Sequence, residues 1–574
     1  MVEHNLLLEF KAIFPSEEYS LYLNTLKEIP SRYIIDFATS FLRYRINDER
    51  ISNIQNLLGL WFRKENEGYA NELNKKIQKY QEASKIKVIV INEVTNLLVF
   101  EAGLNNAAKE LKISEAEFEI VFFKIYIAYN QKSVEHEHLA GESTEKLIFP
   151  YRINALLVAQ SLCYSDITEY NLEDSFVIQL AKTIFFFEEF STKEEFTPLL
   201  NSFYEYYNVV NYKDFIKRYL GLSSMILKAK ESGKIDVIIS EGEDKKSVDD
   251  FVSKFAIPTV IDEDIDFKAI RSQPFLKVEE YKFRIISPLF VIEKLYNGLY
   301  FKLKEINSSL PQEIKVKDLH GDISFKFSEK KLLYNLLQRC CNGRYIQHNG
   351  ESIEKQGING FVDYYIRNGN KVFIFESKDI LINAVVKQSY DFNVIEKELF
   401  KKLYYEEDKG KVIPKAVKQL INSIKILLDG QFTLDGKYKP NSIRIFPIIV
   451  LHNRQLEILG LNQIIKSWFR EELNKLEKES YKIDKIHDPV IINIDSFINY
   501  SDQISDNIIR LEDVIDSYLD YTDQESLKKI KFKDDQHRSQ SIRNTGISFS
   551  EFLRKRFQWR LPSIFQEKGY TLFS

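Results

Sequence analysis

Cysteine, methionine and glycine are scarce in this chain of 574 residues, which contains 3 Cys, 2 Met and 20 Gly. The cysteines, Cys163, Cys340 and Cys341, are too few and too irregularly spaced for a disulfide framework. They do not suit a zinc site either, because directly neighbouring cysteines rarely bind one ion together. The sequence therefore predicts buried free thiols.

Long apolar runs are absent as well. No segment approaches the ~20 apolar residues that an α-helix needs to span a bilayer. The first residues, MVEHNLLLEFKAIF, include acids and lack the basic flank and apolar stretch of a secretory signal. We therefore expect a soluble cytoplasmic protein with no membrane partner.

Several motifs that identify common enzyme chemistry are missing. No Gly-x-x-x-x-Gly-Lys-Ser/Thr loop and no Gly-x-Gly-x-x-Gly follows a predicted strand, which argues against intrinsic use of a nucleoside triphosphate or a dinucleotide. No Gly-x-Ser-x-Gly is present, so nothing favours a serine hydrolase.

The composition is that of an ordinary folded protein, with 44% hydrophobic and 29% charged residues. The chain is too long for one hydrophobic core, so two or three domains are expected. Residues 1–300 hold 36 Lys and Arg against 46 Asp and Glu, a net charge of −10, whereas residues 301–574 hold 44 against 38, a net charge of +6. The C-terminal half is therefore where a polyanion is expected to bind.

The periodicity of apolar residues divides the chain into four parts. Residues 1–230 are predicted to form a helical scaffold or sensor domain, and residues 231–310 a connecting subdomain. Strands and helices alternate over residues 311–500, which predicts an α/β domain with a mixed sheet. Residues 501–574 are interpreted as a helical, partly basic extension. The predicted fold class is thus multi-domain, mostly α-helical in its N-terminal part and α/β in its C-terminal half.

Two stretches of the helical part carry specific expectations. SRYIIDFATSFLRYRI predicts a helix with Ser31 as N-cap. Its apolar stripe consists of Ile34, Phe37, Phe41 and Tyr44. Residues 105–130 predict two helices that meet near Ile113, with Ser114 and Glu117 as the capping box of the second. A helix-turn-helix shares this outline with most helical hairpins, and a scaffold is the preferred interpretation.

The stretch GFVDYYIRNGNKVFIFESKD, residues 360–379, predicts a β-hairpin. Asn368-Gly369 between two apolar runs is a strong signal for a two-residue type I′ turn. The resulting register pairs Arg367 with Asn370, Tyr365 with Val372, Asp363 with Ile374, and Phe361 with Glu376. Because alternate residues of a strand share a face, Asp363, Glu376 and Lys378 are expected to project from the same side.

Two carboxylates held close together repel each other and raise each other's pKa unless a cation lies between them. A hard divalent metal that takes oxygen ligands suits such a place. The face with Asp363, Glu376 and Lys378 therefore predicts a metal site.

In these residues the sequence resembles the PD-(D/E)XK nuclease superfamily, whose core pairs an Asp on one strand with Glu-x-Lys or Asp-x-Lys on the next. Here the pattern is Asp363, twelve intervening residues and Glu376-Ser377-Lys378, with Val362 in place of the proline that gives the group its name. The resemblance extends over about residues 320–500. It implies that Asp363, Glu376 and the backbone carbonyl of Ser377 hold Mg²⁺ or Mn²⁺, and that Lys378 positions the attacking water and stabilises charge on the phosphate.

The superfamily resemblance points to two further residues. The helix after the Glu-x-Lys strand often offers a polar side chain to the site, and Gln419 lies beside the apolar stripe of such a helix in IPKAVKQLINSIKILLDG. In that helix Pro414 suits the first turn and Gly430 the C-terminal end. The helix before the Asp strand often carries a Glu, for which Glu329 is the candidate; it could equally be a solvated acid of the first turn.

Basic and aromatic residues alternate in the C-terminal extension, a pattern that suits phosphate contacts and base stacking. They are Lys528, Lys529, Lys531, Phe532, Arg554, Lys555, Arg556, Phe557, Trp559 and Arg560. A solvated surface with the aromatic rings turned inward is the alternative. Ser548 and Glu551 predict a capped final helix.

The sequence thus predicts a Mg²⁺-dependent nuclease that acts on nucleic acid, with DNA favoured over RNA. Restriction, repair and anti-phage defence all remain open, and the helical part suggests a protein partner or a homo-oligomer. One alternative is a non-catalytic nucleic-acid-binding or scaffold protein with an inactive nuclease-like domain. Another is a purely structural helical protein, which would require a bulge in the hairpin that puts the carboxylates on opposite faces.

Overall fold

The computed structural model describes residues 5–41, 52–168, 170–228, 233–242, 244–262, 264, 266–341 and 343–573. The chain packs into two compact units, and both are discontinuous in sequence. One comprises Met1–His138, Ile167–Gln179 and Pro198–Ile314; the other comprises Leu139–Asp166, Leu180–Thr197 and Lys315–Ser574. The four-part division expected from the sequence stays a prediction.

Twelve short strands are distributed over the described residues. They are β1 (Asn5–Leu7), β2 (Lys87–Ile89), β3 (Asp236–Ile238), β4 (Phe275–Glu279), β5 (Lys282–Ile285), β6 (Ile346–Asn349), β7 (Tyr364–Asn368), β8 (Lys371–Lys378), β9 (Tyr405–Asp408), β10 (Lys411–Pro414), β11 (Arg444–Leu451) and β12 (Val490–Asn493). They form a parallel pair β1-β2, a three-stranded sheet β3-β5-β4, an antiparallel ribbon β9-β10 and a five-stranded sheet.

Helices make up most of the remaining structure. Before residue 315 the α-helices are Phe10–Ile13, Tyr19–Thr25, Ser31–Ser40, Ile54–Trp61, Glu67–Ser84, Glu93–Leu104, Glu115–Thr144, Tyr151–Ser161, Ser165–Thr168, Leu172–Phe190, Thr197–Tyr207, Tyr212–Lys228, Lys245–Ser253, Lys268–Ser272, Pro288–Glu293 and Asn297–Ser309. After it they are Leu319–Asp322, Tyr334–Cys341, Gly350–Lys355, Ala384–Lys387, Phe392–Leu403, Ala416–Leu428, Leu461–Lys478, Ile494–Ser505, Leu511–Tyr521, Asp535–Thr545, Phe549–Arg556 and Ser563–Phe573. Ile323–Leu333 is a π-helix. Within the described part of the chain, no helix combines the length and the apolarity needed to cross a lipid bilayer.

The five-stranded sheet is mixed and has the order β12-β11-β8-β7-β6. β6, β7 and β8 pair antiparallel, whereas β11 runs parallel to both β8 and β12. Parallel neighbours need a crossover connection. Between β8 and β11 the chain includes the helix Ala416–Leu428, named here the core helix. Its apolar side chains share one buried cluster with residues of β7, β8 and β11.

The C-terminal half is therefore α/β with a mixed sheet, and the described residues before it are mostly helical, as the sequence predicts. β11 reads RIFPIIVL and is almost entirely buried. A strand covered on both faces is expected to be apolar throughout rather than alternating. All three cysteines are buried free thiols, which confirms that expectation.

The predicted hairpin is present, but its turn lies one residue further along the chain. Asn368 pairs with Lys371 and Arg367 with Val372, so the expected pairing of Arg367 with Asn370 is wrong. The φ angle is positive at Gly369 (62°) and not at Asn370, as in a type II′ turn rather than type I′. Because the register moves by two residues, every side chain of the ladder keeps its predicted face.

Two helix predictions also need correction. No helix forms over residues 105–112, because the Asn106 amide instead donates to the backbone carbonyls of Leu26 and Ile29, so the helix-turn-helix outline is absent there. Ser114 does cap the next helix, accepting a hydrogen bond from the Glu117 N–H (3.1 Å). Pro414 ends β10 and precedes the core helix instead of lying in its first turn.

Three smaller expectations have mixed outcomes. Gly430 follows the end of the core helix with a φ of 72°, as predicted. Ser31 is the first residue of its helix rather than the N-cap, because its hydroxyl donates to the carbonyls of Leu104 and Asn106. Tyr44 lies outside the described residues.

Candidate active site

The two predicted carboxylates lie where β7 and β8 separate. The β7–β8 ladder ends with Tyr364 opposite Phe375, one residue before Asp363 and Glu376 would pair. Beyond that point the Ser377 N–H donates to Oδ2 of the Asp363 side chain over 2.7 Å instead of to a backbone carbonyl of the neighbouring strand. Asp363 is thereby fixed against the Glu-Ser-Lys segment.

The Glu376 side chain is only 1% exposed, and one of its two carboxylate oxygens has a hydrogen-bond partner. Its Oε1 accepts a hydrogen bond from Nζ of Lys378 over 2.6 Å. Its Oε2 is buried and has no hydrogen-bond partner among the residues that the structure describes. A buried carboxylate oxygen without a partner is costly, and such atoms are rare in native proteins.

The electrostatics follow from burial of several charges together. Burial raises the pKa of Glu376 to about 8, and the nearby Asp363 carboxylate adds to the rise against the opposing effect of Lys378. Burial also raises the pKa of Asp363. For Lys378 burial acts in the opposite direction, but the Glu376 and Asp363 carboxylates hold its pKa above the usual value. The Lys378 ammonium therefore stays charged, while both acids are shifted toward their protonated forms.

Glu329 approaches the same group from the π-helix Ile323–Leu333. Burial raises its pKa to about 7, and the Asp363 carboxylate contributes. Tyr334 donates its hydroxyl hydrogen to Oε1 of Glu329 (2.6 Å). π-Helices are rare and occur frequently at functional sites. The sequence predicts an ordinary helix here, and the wider turn could not be inferred from its apolar spacing.

Gly350 allows a close approach on the other side of Asp363. Its N–H donates to the Asp363 carbonyl oxygen over 2.7 Å. A Cβ at this position would lie 2.9 Å from the Tyr334 hydroxyl and 3.3 Å from the Asp363 carbonyl oxygen. A side chain there would therefore disturb both Tyr334 and the backbone of Asp363.

A pocket of about 100 Å³ adjoins the carboxylates, and both Glu329 and Asp363 line it. A water molecule needs only ~10–15 Å³ of such volume, so the pocket has room for several. The lining of the pocket also includes Phe325, Lys330 and Asn359. Glu329 and Asp363 thus border a space that holds small ligands, whereas Glu376 and Lys378 are not among its lining residues.

Sequence analysis missed a second set of polar residues around the same strand end. A hydrogen bond of 2.8 Å joins the Ser377 hydroxyl to Nε2 of His452, and Ser328 donates to the Asp379 carboxylate over 2.6 Å. The backbone N–H of His452 also donates to the Lys378 carbonyl oxygen (3.3 Å). His452 directly follows β11, which runs parallel to β8. Because the carboxyl ends of neighbouring parallel strands meet at one edge of a sheet, the position of His452 after a predicted strand is the signal that could have identified it.

Gln419 is the predicted residue that the structure does not connect to the others. It lies in the core helix with a buried Oε1 that has no hydrogen-bond partner among the described residues. Ser423, one turn further along, donates to the Gln419 carbonyl oxygen and accepts from the Val362 N–H, each over 3.0 Å. The core helix therefore holds the backbone directly before Asp363, while the role of the Gln419 side chain stays a prediction.

Metal ligation was assessed from the residues themselves. Within the described ranges, no group of three or more His, Cys, Asp or Glu side chains is close enough to hold a metal ion. Asp363 and Glu376 supply two carboxylates, and the unpartnered Oε2 of Glu376 is an available oxygen donor. This donor chemistry suits a hard divalent cation completed by backbone oxygen and water.

Three basic side chains of the C-terminal segment have partners within their own unit. Lys555 pairs with Glu551 (2.9 Å) and Arg554 with Glu457 (3.6 Å), and Arg556 lies over the Phe552 ring. Ser548 caps the helix Phe549–Arg556, as predicted, but this helix is not the final one, because the helix Ser563–Phe573 follows. The nucleic-acid interface expected here and its alternative, a solvated surface, both stay predictions.

Comparison with known proteins identifies no relative from which a function could be taken. Protein-family models, curated proteins and solved structures gave no significant match to this chain.

Proposed function

We propose that this chain is a metal-dependent nuclease that hydrolyses phosphodiester bonds in nucleic acid, with DNA as the first substrate to test. The observation that carries the proposal is the state of Glu376. Its carboxylate is buried beside Asp363, bonded to Lys378 through one oxygen and unpartnered at the other. Two convergent carboxylates and a lysine with perturbed pKa values beside a pocket are typical of a catalytic site.

The arrangement of elements supports the resemblance to the PD-(D/E)XK superfamily. Asp363 directly precedes β7, and Glu376 and Lys378 end β8, the next strand. The core helix follows β8, and the π-helix with Glu329 comes before β7. That fold assignment is part of the proposal and rests on these elements alone.

Each residue of the site would have a separate role in hydrolysis. Asp363 and Glu376 would bind a divalent cation, which when bound lowers the pKa of water and polarises the phosphate. The Ser377 N–H donates to the Asp363 side chain. Because the N–H and C=O of a strand residue point to the same side, the Ser377 carbonyl oxygen also points toward Asp363. It would supply a third oxygen donor. Lys378 brings a charged ammonium to the same place, where it stabilises negative charge that develops on the phosphate.

The test is cleavage of linear, circular and single-stranded DNA by purified full-length protein with Mg²⁺ or Mn²⁺. Glu376→Gln and Lys378→Ala remove the groups with the proposed roles. Lys371→Ala is the matched control, because Lys371 begins the same strand and its ion pair with Glu512 (2.8 Å) lies at the opposite end of β8. Circular dichroism establishes that each variant is folded.

The proposal predicts metal-dependent cutting that both site variants lose and the control retains. Equal cutting by wild type and the folded site variants would contradict it. DNA binding without cutting by any form would favour the alternative function, a nucleic-acid-binding or scaffold protein. The closed Lys378–Glu376 ion pair is the feature that is compatible with that alternative.

A further inference from the structure

The pocket beside Asp363 continues outward to the aromatic ring of Phe325. This side chain is 46% exposed, and it lines the same pocket as Glu329 and Asp363. An isolated exposed aromatic residue needs no explanation. An exposed ring that lines the same polar pocket as Glu329 and Asp363 does need one.

The π-helix brings three different chemical groups to this opening. Phe325, Glu329 and Lys330 all belong to Ile323–Leu333. Residues five apart are neighbours on a π-helix, and accordingly Nζ of Lys330 lies 4.0 Å from the centroid of the Phe325 ring. One short segment thus presents an aromatic face, an ammonium and a carboxylate side by side.

The ring retains a face for a ligand. Lys330 covers part of it and also forms an ion pair with Glu351, so its ammonium is held at the pocket rim. The remaining lining offers hydrogen-bonding groups at Asn359 and Glu354. A ligand that matches these features has a flat π-system with polar edges.

We propose that this pocket is a subsite for an unpaired nucleobase next to the phosphodiester that is cut. Phe325 provides the stacking surface for this base. This assignment rests on the proposed nuclease function, because that function supplies the identity of the ligand. A base inside a duplex is stacked on its neighbours and cannot lie against Phe325. The substrate is therefore single-stranded or locally opened nucleic acid.

The experiment measures binding of fluorescently labelled single-stranded and duplex DNA of equal length by full-length protein in EDTA, where no cleavage can occur. The variants are Phe325→Ala and Phe325→Trp, and Tyr570→Ala is the control because Tyr570 is also exposed (78%) on the same unit but does not line the pocket. Stacking on one aromatic side chain is worth a factor of about ten in affinity. Phe325→Ala should weaken single-strand binding by this factor and leave duplex binding unchanged, while Phe325→Trp and Tyr570→Ala retain wild-type affinity.

Unchanged single-strand affinity in Phe325→Ala would overturn the proposal, as would the absence of single-strand binding by wild type. The binding assay is independent of catalysis, so the two proposals can fail separately. A protein that never cuts DNA but loses single-strand affinity in Phe325→Ala has the subsite without the nuclease. A protein that cuts DNA equally well with and without Phe325 is a nuclease without this subsite.

Discussion

Lys378 donates a hydrogen bond to one oxygen of Glu376 over 2.6 Å and leaves the other oxygen buried without a partner among the described residues. An unsatisfied buried polar group costs about 1–3 kcal/mol, and a charged one costs more. The unpartnered oxygen of Glu376 therefore lowers the stability of the fold at the point where β7 and β8 separate. A ligand that binds Glu376 would remove that cost.

The free energy of unfolding should depend on pH through Glu376. Its pKa is about 8 in the fold, because of burial and then of Asp363, against 4.5 ordinarily. Between these values the folded protein holds a proton that the unfolded chain has lost. Stability should therefore fall as the pH rises through this interval, by at most about 1.4 kcal/mol per pH unit for this group. Urea denaturation at a series of pH values, in EDTA, measures the slope.

Two variants assign that slope to its source. Glu376→Gln should make the dependence shallower, because the amide does not titrate, and the raised pKa values of Glu329 and Asp363 should leave a smaller slope of the same sign. Glu512→Gln should not make it shallower, since burial of Glu512 is outweighed by Lys371, which lowers the pKa of that carboxyl. An equal slope in wild type and Glu376→Gln would show that Glu376 ionises normally.

The hairpin that carries the site should depend on one buried ion pair. The Arg367 guanidinium donates to both oxygens of Asp435, and the Tyr365 hydroxyl donates to Oδ2 over 2.9 Å. Asp435→Ala leaves the Arg367 charge buried and unpaired, which should cost about 3–5 kcal/mol. Chemical denaturation gives this value directly. Lys425→Ala removes an exposed pair with Glu479 and should cost about 1 kcal/mol or less. Similar losses in the two variants would refute the structural role given to Asp435.

His452 should act on the site through Ser377. Burial lowers the pKa of His452 to about 4, so its ring is neutral at pH 7 and positions the Ser377 hydroxyl by a single hydrogen bond. His452→Ala removes this contact and should reduce cleavage by about 10- to 100-fold through misplacement of the Glu-Ser-Lys segment. Asn at position 452 retains a polar partner and should restore part of the activity. If alanine and asparagine variants, both folded, cut DNA at the wild-type rate, His452 has no positioning role.

Gln419 offers a test in which stability and activity change in opposite directions. Its buried Oε1 has no partner among the described residues, so Gln419→Leu should leave the free energy of unfolding equal or higher. Cleavage should nevertheless fall if the amide serves the site, because residues kept at a cost in stability are usually kept for function. Thermal denaturation and cleavage of the same preparation decide the matter. Destabilisation without loss of specific activity would assign Gln419 a structural role.

The hairpin illustrates what the sequence alone can predict. Alternation of apolar and polar residues placed Asp363, Glu376 and Lys378 on one face, and that held despite a turn displaced by one residue. Beside the displaced turn, Arg367 pairs with the distant Asp435 and donates to the Gly369 carbonyl oxygen (2.8 Å). Local turn preference could not anticipate a contact with a residue almost seventy positions away.

Other features were beyond prediction for related reasons. The contact of Asp363 with the Ser377 N–H exists because the ladder stops one residue early, and alternation does not say where a ladder ends. His452 joins the site only because β11 lies parallel to β8, a pairing that depends on the tertiary fold. The π-helix at Glu329 has no signature in apolar spacing that separates it from an α-helix.

The most direct test of the account is the number of Mn²⁺ ions that the folded protein binds, measured by electron paramagnetic resonance with Asp363→Asn, Glu376→Gln and Lys371→Ala beside the wild type. The account predicts stoichiometric Mn²⁺ binding that Lys371→Ala leaves unchanged. Each carboxylate variant should weaken it at least about tenfold, since the loss of even an outer-shell partner costs about 10- to 100-fold in metal affinity. Wild-type affinity in both carboxylate variants, or no binding by the wild type, would contradict the claim that Asp363 and Glu376 form a metal site.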